Sequence, residues 1–246
     1  MRSRKIAAAF ALLSIARIAA GSSVSILFVG NSLTYTNDLP AMFKKLAAES
    51  SLHVDVDVTL IAPGGAFLYD HWKSGQAVAF LHERHPKFLV LQGQSTEPLS
   101  APQSFSQSAR LFKAEADGIG ATTILFATWA RPSGDPYYKE PTSGGSPAVM
   151  QARLDATYAD VAKTIGATLA PVGVAWERVQ QATPEIQLLD GTQHPSPAGT
   201  YLAAAVLFRT MFNASPMGST FYGGLPKETA LQLQRVAGEI PMTPTP

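Results

Sequence analysis

Short apolar runs alternate along the chain with segments whose apolar residues recur every three or four positions. Val24 to Val29, Phe88 to Leu91 and Thr123 to Ala127 are nearly continuous in apolar residues, as parallel strands are when both faces of the sheet are covered. His53 to Leu60 (HVDVDVTL) instead alternates with period two, which predicts a strand with one wet face at a sheet edge. Ala167 to Val172 predicts a weaker fifth strand. Phe105, Ala109, Phe112, Ala116 and Ile119 make one apolar helix face, and Met150, Leu154, Tyr158, Val161 and Ile165 make another. Further helices are expected over Pro40 to Ser50 (Asn37 or Asp38 as cap, Pro40 in the first turn), His71 to Glu83, Val172 to Gln181, Ser196 to Asn213 and Lys227 to Gly238. A Pro/Thr tail follows. Strands alternating with helices of these lengths predict an α/β fold, a parallel sheet sandwiched by helices with right-handed crossovers.

Composition narrows the class. The chain has 246 residues, 46% hydrophobic, enough for one sizeable core. No internal repeat and no linker divides it, so residues 23–246 are expected to form a single domain with a loose C-terminal tail. Net charge is +1, and basic residues do not cluster after the N-terminus, so nothing points to an electrostatic nucleic-acid binder. The absence of cysteine excludes disulfides, thiolate metal sites and a cysteine nucleophile. Residues 1–22 have the layout of a signal peptide: basic Met1 to Lys5, an apolar stretch from Ile6 to Ala20 broken by Arg17, then small residues. Cleavage near Ala20 to Ser22 and a periplasmic or secreted protein are the expectation. No later run reaches the ~20 apolar residues of a membrane span.

The candidate chemistry gathers where strands end. In LFVGNSLTYTNDLP, Ser32 stands where the first strand gives way to a helix, so its hydroxyl would face the crevice and its N–H an oxyanion. A turn or cap serine has the same local sequence. A serine nucleophile needs a base, and the chain holds five histidines. His82 and His85 flank a helix end and read as a solvated terminus; His53 leads the edge strand; His71 follows the Gly64-Gly65 turn and reads as structural. His194 lies in DGTQHPSPAG, with Asp190 close before it and a buried helix after it. That loop can swing the histidine over the sheet edge, and Asp190 is near enough to fix its tautomer. Gly64-Gly65 after the second strand could give a backbone N–H, and Gln92 or Gln94 after the third a side-chain N–H. These elements fall on a single rim, at the carboxyl ends of the strands, where open α/β sheets hold their sites.

On these residues the chain resembles the SGNH, or GDSL-type, hydrolase superfamily, in particular a branch with a Gly-Asn-Ser opening and a Gln-Xaa-Gln-Ser third block whose members often lack an assigned function. Gly30-Asn31-Ser32-Leu33 corresponds to Gly-Asp-Ser-Leu, with Asn31 replacing aspartate. Gly65 or Gly64 falls at the oxyanion glycine, Gln94 takes the place of the third-block asparagine, and His194 matches the last-block histidine. The resemblance implies a three-layer α/β/α sandwich, a flavodoxin-like parallel sheet with strand order 2-1-3-4-5, which puts the alternating second strand at an edge. One departure concerns the acid, which in the family usually stands three residues before the histidine. Asp190 stands four before, and position three is Gly191. Either the loop bulges by one residue and Asp190 still reaches the ring, the favoured alternative, or a backbone carbonyl orients His194.

The resemblance implies a serine ester hydrolase, and the signal-like layout of residues 1–22 an exported one. Its catalytic residues would be Ser32, His194 and Asp190, and its oxyanion hole the N–H groups of Ser32 and Gly65 with the Gln94 side chain. No cofactor or metal is called for. The expected substrate carries a small acyl group, such as acetyl, on a carbohydrate. Trp129, Arg131, Tyr137 and Tyr138, after the fourth strand, are candidates for a sugar-stacking wall. A lipase or thioesterase on the same fold, or a catalytically silent carbohydrate-binding protein, are the alternatives.

Overall fold

The structure is a computed structural model that describes residues 23–241. The expected export segment 1–22 and residues 242–246 of the tail lie outside the described residues. Five parallel strands form one sheet in the order β2-β1-β3-β4-β5. They are β1 (Val24–Val29), β2 (Val56–Ile61), β3 (Phe88–Leu91), β4 (Thr122–Phe126) and β5 (Thr168–Ala170). Among the described residues ten α-helices, α1 to α10 in chain order, pack around it: Ser32–Tyr35, Leu39–Ala48, Leu68–Ser74, Gln76–Arg84, Glu97–Ser100, Pro102–Gly118, Pro147–Ile165, Val172–Ala182, Pro197–Phe212 and Lys227–Glu239.

The alternation of side chains on β1 divides the core in two. Ile26 and Phe28 belong to the layer under α2, α8, α9 and α10. Leu27 and Val29 belong to the layer under α3, α4, α6 and α7. All four are buried, and each contributes about 1.5–3 kcal/mol relative to an exposed side chain. Both faces being covered, an uninterrupted apolar run is what the central strands require. β2 lies at the edge, and Asp57 faces solvent, in line with its alternating sequence, while Leu60 on the apolar face of that alternation is also exposed.

Two elements differ from expectation. The helix expected over His71 to Glu83 is two, α3 and α4, because Gly75 takes a left-handed conformation (φ 70°) between them. β2 starts at Val56, since His53 sits in a left-handed turn (φ 47°). The loop after β4 contains two short 3-10 turns, Pro136–Lys139 and Pro141–Ser143. No helix among the described residues is long and apolar enough to cross a membrane.

α9 decides where the histidine loop sits. Thirteen of its sixteen residues are buried, so it is an interior helix packed by α2, α8 and α10. Ser196 caps it, its hydroxyl accepting from Gly199 N–H (3.2 Å), and Pro197 opens its first turn. The residues just before α9 therefore leave a rigid base.

Candidate active site

Ser32 opens α1 at the carboxyl end of β1. The turn that presents it is fixed from three sides. Asn31 caps α1, its Oδ1 accepting from Leu33 N–H (3.1 Å), while its Nδ2 donates to the Ala66 carbonyl (3.0 Å). The second bond explains the residue type: an aspartate would set a carboxylate against that carbonyl, so the amide is the side chain that can join this turn to the Gly64-Gly65 turn. Gln92 Oε1 accepts from Asn31 N–H (2.9 Å) and Thr34 Oγ1 (2.9 Å). Buried His71 donates from Nε2 to the Gly30 carbonyl (2.7 Å); burial holds its pKa below the ordinary value, so it stays a neutral strut. Gly30 allows the tight turn: a Cβ there would lie 2.5 Å from Thr34 Oγ1 and 2.6 Å from Gln92 Oε1.

His194 Nε2 lies 3.0 Å from Ser32 Oγ. Its loop is tied on both sides. Asn37 Nδ2, after α1, donates to the Pro195 carbonyl (2.8 Å), and the Trp129 indole N–H donates to the Gln193 carbonyl (3.1 Å). A backbone bridge, Asp190 N–H to the His194 carbonyl (3.1 Å), closes the loop on itself.

The acid is placed differently from expectation. Asp190 reaches His194 through Thr192 and makes no hydrogen bond to the ring. Thr192 Oγ1 donates to Asp190 Oδ1 (2.6 Å) and lies 3.0 Å from His194 Nδ1 and 3.1 Å from the His194 N–H. A hydroxyl has one hydrogen and two acceptor sites. The carboxylate takes the hydrogen, so the oxygen accepts from the backbone N–H and from Nδ1–H. This fixes the proton on Nδ1 and leaves the Nε2 lone pair for the Ser32 hydroxyl. The cause is the extra residue: Gly191, at φ 98°, folds a turn in which Asp190 Oδ1 is taken up by Thr192 N–H (2.9 Å) and Oγ1. The hydrogen bond from Thr192 holds the Asp190 carboxyl below the usual carboxylate range, with a smaller contribution from the nearby histidine. Thr192 was not singled out from sequence, where a hydroxyl in a polar loop gives no signal; its spacing of two from His194 is the only clue.

Ser32, Gly65, Gln94, Ser95 and Gln193 line one small pocket of about 70 Å³. Three of its lining residues carry an N–H that no other described residue takes up. The N–H groups of Ser32 and Gly65 have no hydrogen-bond partner among the described residues. Gly65 takes a left-handed conformation (φ 73°) on the exposed turn, which glycine adopts without steric cost. Gln94 Oε1 accepts from Thr96 N–H (2.7 Å) and Oγ1 (2.9 Å), so its Nε2 is the atom left for the pocket. Gln92 is instead the buried support of the nucleophile turn. A larger depression of about 630 Å³ between α6 and α7 shares no residue with this pocket and holds no nucleophile–base pair.

Trp129 does not take the place expected for it in the wall after β4. Trp129 is 2% exposed and stacks on Trp176 at 4.0 Å with 8° between planes, so it offers no face to a substrate; it supports the histidine loop instead. Arg131 donates to Ser95 Oγ (3.0 Å) and Asp135 (3.3 Å) and lies over the Tyr137 ring at 5.3 Å. Tyr138 donates to the Arg131 carbonyl (2.5 Å). Arg131 and Tyr137 thus form a braced pair behind the pocket. The exposed aromatics near the site are Tyr35 (45%), one helical turn beyond Ser32, and Tyr69 (50%). The Tyr35 hydroxyl reaches over Gly64, 3.3 Å from where a Cβ there would lie.

Behind the pocket sits Glu97, fully buried. Desolvation raises its carboxyl to about 7, against the backbone N–H bonds from Gln94 and Leu68 that favour the charged form. A folded-state pKa above the unfolded one means that folding favours the protonated acid. The associated stability is complete below about 4.5 and is lost as pH rises through about 7. At 1.36 kcal/mol per pKa unit this is on the order of 3 kcal/mol. Thermal denaturation should show the wild-type Tm falling between pH 5 and pH 8 more steeply than that of Glu97→Gln; parallel profiles would contradict it.

No protein-family model matches the chain, and no curated protein matches it. Solved structures do. A protein assigned to the SGNH hydrolases, from Slackia heliotrinireducens, is 30% identical, with a TM-score of 0.67 over 77% of this chain and 100% of its own. A DUF4886 family protein from Bacteroides uniformis is 14% identical, with a TM-score of 0.69 over 88% of this chain and 94% of its own. An acetyl xylan esterase from Geobacillus stearothermophilus is 15% identical, with a TM-score of 0.59 over 77% of this chain and 95% of its own.

Proposed function

Because the chain belongs to the SGNH hydrolase superfamily, we propose that it is an exported serine esterase that removes a small acyl group, acetyl in size, from a carbohydrate. The observation that carries the chemistry is the 3.0 Å contact of His194 Nε2 with Ser32 Oγ, made beside a pocket with three lining residues whose N–H no other described residue takes up. Ser32 Oγ attacks the acyl carbon and its proton passes to Nε2. The N–H groups of Ser32 and Gly65 and the Gln94 amide receive the oxyanion. As the tetrahedral intermediate collapses, the C–O bond to the alcohol breaks and His194 returns its proton to the departing oxygen. Water, deprotonated by the same nitrogen, then releases the acid and restores the serine. The imidazolium formed in each half is stabilised by Asp190 acting through the Thr192 hydroxyl.

Three observations support the substrate class. The pocket of about 70 Å³ is far below the ~300–1,000 Å³ of ordinary ligand sites, which suits an acyl group of two carbons better than a long chain. The acetyl xylan esterase among the structural neighbours has the same fold. Tyr35 presents an exposed ring at the pocket rim, where an acceptor sugar could stack. Export rests on the signal-like layout of residues 1–22.

The test is a panel of acetylated sugars and aryl esters of graded acyl length. Activity should be highest with acetyl and fall with each added carbon. Tyr35→Ala should raise KM for acetylated oligosaccharides by about tenfold, equivalent to ~1.4 kcal/mol of stacking, and leave KM for aryl acetates unchanged. A preference for long acyl chains, or equal KM changes on both substrates, would contradict the assignment.

A further inference from the structure

Glu97 lies outside the proton relay and outside the pocket, yet it joins the two segments that supply oxyanion donors. Both carboxylate oxygens lie 3.1 Å from Leu68 N–H, and Oε2 also accepts from Gln94 N–H at 2.9 Å. Leu68 begins α3, three residues after Gly65. Gln94 carries the side-chain donor. The backbone of Glu97 closes the same ring, its N–H donating to the Gln94 carbonyl (2.9 Å). Gln94 is thus held at its N–H, its carbonyl and its side-chain oxygen, and only Nε2 stays unengaged.

We propose that Glu97 is the positioning residue of the oxyanion hole, its carboxylate setting the spacing between the Gly65 turn and Gln94 so that their donors meet on one oxygen. This rests on the esterase function proposed above. The two segments follow different strands, β2 and β3, and the Asn31 bond to Ala66 ties the first of them only to the nucleophile. A donor misplaced by an ångström costs on the order of 10²-fold in rate, so a shared acceptor between the segments has a catalytic consequence. The hydrogen-bonding groups that face the carboxylate are N–H donors. An amide of the same shape would turn its own NH2 against one of them, and one link would open.

The experiment measures hydrolysis of 4-nitrophenyl acetate at pH 8, where a carboxyl that burial raises to about 7 is ionised and can accept from all its N–H partners, by wild type, Glu97→Gln, Gln94→Ala and the double variant. Glu97→Gln is expected to lower kcat by about 10²-fold, the cost of one oxyanion donor, with KM little changed. The double variant should be slower than Glu97→Gln by no more than about twofold, because both changes remove the same donor. A folded Glu97→Gln variant with kcat within about twofold of wild type, or losses that multiply in the double variant, would overturn the proposal. If the glutamine variant does not fold, the same coupling is read between Glu97→Asp, whose shorter carboxylate cannot span both segments, and Gln94→Ala. Ser32→Ala is assayed beside them. Hydrolysis at more than a hundredth of the wild-type rate in Ser32→Ala refutes the Ser32 mechanism on which the proposal rests, and a wild type without hydrolysis refutes the esterase. Hydrolysis lost there but kept in Glu97→Gln refutes only the positioning role.

Discussion

Ser32→Ala is expected to lower kcat by about 10⁶-fold, the loss seen when a serine hydrolase loses its nucleophile, while the fold persists. Ser32 is half-buried at the start of a four-residue helix, and its side chain makes a single hydrogen bond, to His194. The turn around it is held by Asn31, Gln92 and His71, none of which uses the Ser32 hydroxyl. Removing the oxygen therefore leaves no buried polar group without a partner, and the melting temperature should move by no more than a few degrees. The donors on the pocket stay in place, so the residual rate should still exceed that of water alone. A variant that hydrolyses at more than a hundredth of the wild-type rate would require another nucleophile. Steady-state kinetics beside a thermal melt separates loss of chemistry from loss of fold.

The second large effect belongs to Thr192. Valine there keeps the shape and removes the oxygen that accepts from His194 Nδ1–H and donates to Asp190. The imidazole then loses its only hydrogen-bond partner at Nδ1 among the described residues. It can place its proton on Nε2, the tautomer that cannot accept from Ser32, and the precedent for a wrong tautomer is about 10⁴ in kcat. A loss of about 10³-fold is expected, since backbone ties at Pro195 and Gln193 still hold the loop. Thr192→Ser should restore most of the rate. Asp190→Asn should cost less, about tenfold, because its amide oxygen can still accept from Thr192 while the charge behind the imidazolium is lost. The order of the two losses distinguishes the arrangements. In a triad with direct contact the aspartate variant would be the slower one; with the hydroxyl between them the valine variant is. Comparing kcat for the three variants at one pH decides it, and Thr192→Val within about twofold of wild type would remove the hydroxyl from the relay.

Much of this was legible before any coordinates. The uninterrupted apolar run of β1, the alternation of β2 and the three-and-four spacing of α6 and α7 each reflect how many faces of the element are covered. Coverage is a property that periodicity records directly. The resemblance in block order carried the rest of the topology. What stayed hidden was connectivity between side chains. Glu97 reads as an ordinary charge after Ser95-Thr96, and nothing local shows that it is fully buried between two loops. Thr192 reads as turn filler, because the insertion of Gly191 changes which atom meets the ring without changing any pattern. Trp129 was misplaced for a related reason: an aromatic in a loop beside a crevice can stack on a ligand or on Trp176, and only the fold brings the second tryptophan within 4.0 Å. Tyr35 drew no reading of its own, because a tyrosine between a turn and a helix shows nothing local of its 45% exposure.

The most direct test of the account is covalent labelling of the nucleophile. A fluorophosphonate added to the wild-type protein should form one adduct, and peptide mass spectrometry should place it on Ser32, with ester hydrolysis lost in proportion to labelling. Acetylated sugar present in excess should slow the reaction. Complete loss of activity with the adduct on another serine, or a protein that hydrolyses esters at full rate with Ser32 unmodified by excess reagent, would contradict the central claim that Ser32 is the group His194 activates.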